Sequence, residues 1–232
     1  MGIAFMPIEI DVQLPDEKKL IDYANHYSIK NKYEKSSDKE VFDLERNWDQ
    51  VPVIGRLDSD EWYNQRIVSD AVFNRYNPGV GGPCRYANNI DKEFPEIPYM
   101  LDQLPFKELT IVVLFKQHEQ VPTHIDLQKW MNIQDESEIA FDLEPRRYNI
   151  LMTKHHYKSF YICENQNSEK IFPNIPAHRP CHALCESQHW HGADYAGPDK
   201  IQLAVYGILD RQKHREMIKK NLEKFKDEVI SF

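Results

Sequence analysis

Four cysteines in 232 residues, Cys84, Cys163, Cys181 and Cys185, are too few for a disulfide framework, so reduced thiols are the expected state. Glycine is scarcer than proline, 8 against 14, and the one glycine-rich patch, Gly79-Val80-Gly81-Gly82-Pro83, lacks the following Lys-Ser or Lys-Thr of a phosphate-cradling loop. It reads as a turn. No stretch approaches the ~20 apolar residues that a membrane span requires, and Met1 to Gln13 has neither a basic n-region nor a long apolar h-region. A cytoplasmic protein with no membrane partner is expected. Positive charge is also in deficit: 29 Lys and Arg against 37 Asp and Glu leave -8, a field that repels phosphate backbones and argues against nucleic acid as a partner.

What is present suffices for a core. Hydrophobic residues make up 41% of the chain and aromatics 12%, which sets wholesale disorder aside. With no internal repeat and no linker-like composition, residues 1–232 are expected to form one domain. Its first half carries helical patterns. Asp16 to Tyr27 sets Leu20, Tyr23, Ala24 and Tyr27 on one face, and Ser59 to Tyr76 follows the same period through Trp62, Ile67, Ala71 and Val72. After prolines at 95, 98 and 105 the pattern changes to short β-branched and aromatic runs: Leu109 to Phe115, Tyr148 to Thr153, Ser159 to Cys163 and Ile201 to Leu209. These predict a mainly β protein, a sandwich or barrel over roughly 109–210 with flanking helices. Arg211 to Phe232 closes the chain as a helix whose apolar stripe is Ile218, Leu222, Phe225 and Val229, its 7 basic residues forming a solvated face.

Ten histidines make metal or acid–base chemistry worth testing, and two clusters stand out, His124-Ile125-Asp126 and His189-Trp190-His191. In extended chain, residues i and i+2 point to the same side, so the His124 imidazole and the Asp126 carboxylate can converge on one cation. His191, 65 residues beyond Asp126 and directly before the last long strand, can be brought beside them by a folded-back sheet. Two histidines and one carboxylate form the facial triad that leaves positions open on Fe(II). Lys200 follows His191 by nine residues and opens a strand on which Ile201, Leu203, Val205 and Leu209 form one face and Lys200, Gln202, Ala204 and Tyr206 the other. A cationic amine beside small and polar side chains suits a bound carboxylate better than a core.

His124-x-Asp126, a distal His191 and Lys200 nine residues on, within a β-rich region, resemble the iron(II) and 2-oxoglutarate-dependent oxygenase superfamily, in its prolyl or aspartyl/asparaginyl hydroxylase style. The resemblance covers roughly residues 109–210. It implies a double-stranded β-helix of the jelly-roll or cupin type, Fe(II) held by His124, Asp126 and His191, and 2-oxoglutarate as co-substrate with its far carboxylate on Lys200. Arg147-Tyr148-Asn149 resembles the Arg-x-His or Arg-x-Asn element of related hydroxylases, which implies that Arg147 and Asn149 also contact 2-oxoglutarate. Most of the superfamily carries arginine where this chain has Lys200, so the contact is a point charge and not a fork, and Tyr206, Thr153 or Tyr148 is left to supply a second hydrogen bond. The implied activity is a dioxygenase that hydroxylates an amino acid, a protein side chain or a small metabolite with dioxygen.

Three alternatives stand beside this reading. His189 competes with His191 for the distal position; nine residues to Lys200 and the space left by Gly192 and Ala193 favour His191. Cys181, Cys185, His189 and His191 have ligand types that suit a structural zinc. A cupin-like binding module would keep the barrel without redox chemistry.

Overall fold

The structure, a computed structural model, describes residues 2–28, 48–55, 84–117, 119–125, 145–153, 158–185, 189–195, 197 and 200–232. The helix expected over Ser59 to Tyr76, the turn at Gly79 to Pro83 and Asp126 lie outside the described residues.

The chain is mainly β. In order it forms β1 (Ile3–Pro7), α1 (Glu17–Tyr27), β2 (Trp48–Gly55), β3 (Arg85–Tyr86), α2 (Ile90–Glu93), α3 (Glu96–Leu101), β4 (Phe106–Gln117), β5 (Val121–His124) and β6 (Arg147–Leu151). There follow β7 (Phe160–Cys163), β8 (Cys181–Leu184), β9 (Trp190–Ala193), β10 (Lys200–Leu209), α4 (Arg211–Lys224) and β11 (Ile230–Ser231). An antiparallel sheet of eight strands runs β11-β1-β8-β6-β10-β4-β2-β3, and a second, of three strands, runs β5-β9-β7. From β4 to β10 successive strands fall alternately in the large and the small sheet.

Alternation along the strands divides the interior in two. On one face of the large sheet Met6, Ile150, Ile201, Leu203 and Val205 pack with Leu20 and Tyr23 of α1 and Ile97 and Met100 of α3. Each fully buried aliphatic side chain there contributes on the order of 1.5–3 kcal/mol. On the other face Phe5, Leu151 and Leu184 meet Phe160 and Ile162 of the small sheet. The helices begin where the sequence provides caps: Asp16 accepts a hydrogen bond from the Lys19 amide at 2.8 Å, and Asp210 accepts from the amides of Gln212 and Lys213.

Several elements depart from expectation. The N-terminal half is not only helical, because β1 and β2 join the large sheet on either side of its centre. Pro52 is accommodated within β2 because β3 pairs with that strand only at Ile54 and Gly55, so Pro52 stands on an edge where its missing N–H breaks no ladder. At the other end, α4 stops at Lys224, and Ile230–Ser231 pairs with β1 instead of continuing a helix. The buried side of α4 is His214, Ile218 and Asn221, while Leu222 is 39% exposed. Two of those three are polar and escape a hydropathy pattern. Burial is tolerated because the Tyr148 hydroxyl bonds His214 Nδ1 at 2.8 Å and Asn221 Oδ1 accepts from the Glu9 amide at 2.8 Å. No helix among the described residues is long and apolar enough to cross a membrane.

Candidate metal and carboxylate site

The site is built from the inward faces of both sheets. His124 is the last residue of β5, and Pro122 lies within that strand. His191 is the second residue of β9, and the register sets it directly opposite His124 on one side and Ile162 on the other. The two rings lie with centroids 4.4 Å apart. His124 Nδ1 lies 2.8 Å from the Pro122 carbonyl, and His191 Nδ1 lies 3.0 Å from the His189 carbonyl. A carbonyl oxygen only accepts, so each Nδ1 carries a hydrogen, and in the neutral ring Nε2 is the nitrogen that carries the lone pair. Outer hydrogen bonds of this kind orient histidines that ligate metals. These donors fit a divalent cation of borderline hardness. Among the described residues no group of three His, Cys, Asp or Glu side chains comes together, and the third expected ligand, Asp126, lies outside them.

Lys200 opens β10 opposite Gln117 of β4 and is only 4% exposed. Burial pushes its amine down to about 7, and no described carboxylate pairs with it. An uncompensated ammonium in such a place costs several kcal/mol, which a bound anion would offset. Its strand alternates as the sequence suggests, with Ile201, Leu203 and Val205 turned into the helix-side core. On the inward face the register aligns Ala204 of β10 with Asn149 of β6 and His182 of β8. Arg147 Nε donates to Asn149 Oδ1 at 3.1 Å, and the guanidinium stands 5.2 Å from the Tyr206 ring and 5.7 Å from that of Phe115. Arg147, Asn149 and Lys200 thus share the face that looks toward the small sheet.

A further residue on this face, His182, is one that no sequence pattern marks. It is fully buried, its ring 5.3 Å from Phe5 and 5.6 Å from Phe160. Burial pushes its pKa down to about 3; the Pro180 carbonyl opposes this, and the nearby Arg147 and Lys200 charges lower it further. Neither ring nitrogen makes a full hydrogen bond among the described residues, and Asn149 Nδ2 makes none either. The sole signal in the sequence is a histidine inside the apolar run Cys181-His182-Ala183-Leu184.

Three expectations are corrected here. Cys181 points into the helix-side core with Met6 and Ile150, where burial pushes its thiol up, so Cys181, Cys185, His189 and His191 do not gather as a zinc site. Tyr148 also faces that core and bonds His214, which removes it from the choice of partners for Lys200. Thr153 Oγ1 accepts from the Ile201 amide at 3.1 Å, next to Lys200 in the chain. Gly192 does not open space beside His191: it faces Tyr161 across the β7–β9 pairing, and a Cβ there would meet the Tyr161 hydroxyl and lie 2.7 Å from the Val121 carbonyl. His189 turns its ring toward Phe232 at 5.7 Å and serves His191 through its backbone carbonyl.

No protein-family model matches this chain, and no curated protein matches it. Among solved structures, a prolyl-4-hydroxylase from Pseudomonas putida is similar over 83% of this chain and 99% of its own, with 11% identity and a TM-score of 0.29.

Proposed function

We propose that the chain is an Fe(II)- and 2-oxoglutarate-dependent dioxygenase, a hydroxylase formed as one domain over residues 1–232 around a double-stranded β-helix. The observation that carries this reading is the in-register pair His124 and His191, each with Nδ1 tied to a backbone carbonyl. The strand alternation between two sheets from β4 to β10 supports the β-helix, since that architecture winds a ribbon of strands between two facing sheets.

In this reading His124, Asp126 and His191 hold the metal, and Lys200 takes the far carboxylate of 2-oxoglutarate, with Arg147 and Asn149 adding polar contacts. When bound, Fe(II) with 2-oxoglutarate and dioxygen supplies the oxidation of an unactivated C–H bond, with carbon dioxide and succinate as co-products. The chain's own residues bind and orient. The carbonyls of Pro122 and His189 fix the imidazole tautomers, and the buried Lys200 amine neutralises a carboxylate in a site from which the two sheets exclude water. Substrates of this reading are a free amino acid, a protein side chain or a small metabolite in the cytoplasm, with no nucleic-acid or membrane partner.

Anaerobic titration with Fe(II) and 2-oxoglutarate tests it: a weak visible charge-transfer band is expected in the parent protein and not in Asp126→Ala. Succinate production in air separates a dioxygenase from a cupin-like module that only binds. A parent protein that gives neither band nor succinate rules the reading out.

A further inference from the structure

Two neighbouring side chains on the inward face of the large sheet keep polar atoms that meet no hydrogen-bond partner among the described residues. Asn149 of β6 and His182 of β8 are cross-strand partners, and both are fully buried. The orientation of the Asn149 amide is set by Arg147: its Oδ1 accepts from the guanidinium, so its Nδ2, which can only donate, is turned elsewhere and meets no acceptor. His182 presents one N–H and one lone-pair nitrogen; the rings of Phe5 and Phe160 beside it offer no acceptor, and the Pro180 carbonyl near it does not complete a hydrogen bond.

Buried polar groups in folded proteins are almost always paired. Two adjacent exceptions, on the same face as a buried amine without a carboxylate among the described residues, mark a place where a ligand completes the bonding. The donors on Asn149 and His182 call for an acceptor, and the buried Lys200 amine, whose charge is felt at the His182 ring, calls for an anion. A water molecule would answer the first demand and not the second. A carboxylate answers both.

We infer that His182 is a further ligand-binding residue of this site, donating with Asn149 to an oxygen of a bound dicarboxylate whose charge is also met by Lys200. The inference rests on the dicarboxylate reading proposed above, and it adds a residue that a merely packed aromatic core would not use.

The test is calorimetric binding of 2-oxoglutarate to the zinc-substituted protein, comparing the parent with His182→Phe, His182→Gln and Asn149→Ala. His182→Phe keeps a flat ring between Phe5 and Phe160 and removes both nitrogens. Its affinity should fall at least tenfold, while its melting temperature without ligand should equal or exceed the parent's. His182→Gln returns one donor and should recover part of the affinity. A histidine that serves only packing makes the contrary forecast, that His182→Phe binds within twofold of the parent, and that result overturns the inference. Should His182→Phe fail to fold, Asn149→Ala decides, because affinity within twofold of the parent overturns the donor pair. If the parent itself takes up no 2-oxoglutarate, the dicarboxylate reading fails and His182 falls with it; tight binding by parent and variants alike removes His182 alone.

Discussion

His124 at the end of β5 and His191 on β9 stand opposite each other across neighbouring strands, their ring centroids 4.4 Å apart and each Nδ1 anchored on the carbonyl of a residue two positions earlier. Any cation bound between them depends on both strands and on the local loop of backbone behind each ring.

Loss of either ring should therefore abolish metal binding, whereas loss of the neighbouring ring should not. His124→Ala and His191→Ala are expected to weaken zinc or Fe(II) binding by more than the ~10–100-fold typical of removing an outer-shell partner. His189→Ala keeps the carbonyl that holds His191 and should bind metal like the parent. Titration with a competing chelator reads both. Reversal of the two histidines would move the distal ligand two residues upstream.

Lys200 should govern the co-substrate and not the metal. Removing one partner of a buried ion pair costs ~3–5 kcal/mol, so Lys200→Ala is expected to weaken 2-oxoglutarate binding by roughly two to three and a half orders of magnitude. Metal affinity without co-substrate should stay at the parental value. Because burial pushes the amine down to about 7 and a bound carboxylate favours its charged form, binding above that pH should take up a proton. Affinity should then decline as pH rises past about 7 in the parent and be flatter in Lys200→Arg. Calorimetry in two buffers of different ionisation enthalpy measures the proton directly.

Two buried histidines should make stability depend on pH on the acid side. Burial pushes His214 down to about 4 and His182 to about 3, from an ordinary 6.5. Between the folded and ordinary values the unfolded chain binds more protons than the folded one, so stability rises with pH across this window. The contribution is fully present above about 6.5 and is lost as pH falls toward 4 and then 3. Thermal unfolding from pH 7 to 4 should show a steep loss in the parent and a shallower one in His182→Phe. Equal slopes would mean that the ring is not kept neutral by the fold.

Gly192 should tolerate no side chain. Its position is filled by the Tyr161 hydroxyl and the Val121 carbonyl, so Gly192→Ala must push β7 or β5 away from β9. Overpacking of this kind costs typically ~1–3 kcal/mol. Since His191 is the preceding residue and β5 carries His124, metal affinity should drop together with melting temperature. In the double variant Gly192→Ala with Tyr161→Phe, part of both losses should return; no recovery would assign the strain to the ring at position 161 and the Val121 carbonyl, which the second substitution leaves in place.

Much of this molecule is legible from local rules. Asp16 before an amphipathic run marks the start of α1, and the β-branched runs mark β4, β6, β7 and β10 to within a few residues. The spacing of His124, His191 and Lys200 singles out three residues that the fold places on inward faces. The short strands β8 and β9 carry too few residues to show a period, and β1 and β2 hide behind prolines and an N-terminal position. His182 is illegible because one histidine in a four-residue apolar strand looks like any core filler.

Sequence alone dictates what lies within a few residues: which side of β10 holds Lys200, which residue caps α1, and that Arg147 and Asn149 share a face, because strand and helix periods are properties of the local backbone. Long-range packing sets the rest. That His191 meets His124, that Asn149 meets His182, that Tyr148 turns to His214 and that Gly192 yields to Tyr161 are consequences of strand register between segments far apart in the chain. Register follows from how the two sheets close around both cores, and a slip of one residue would turn each of these side chains to the opposite face.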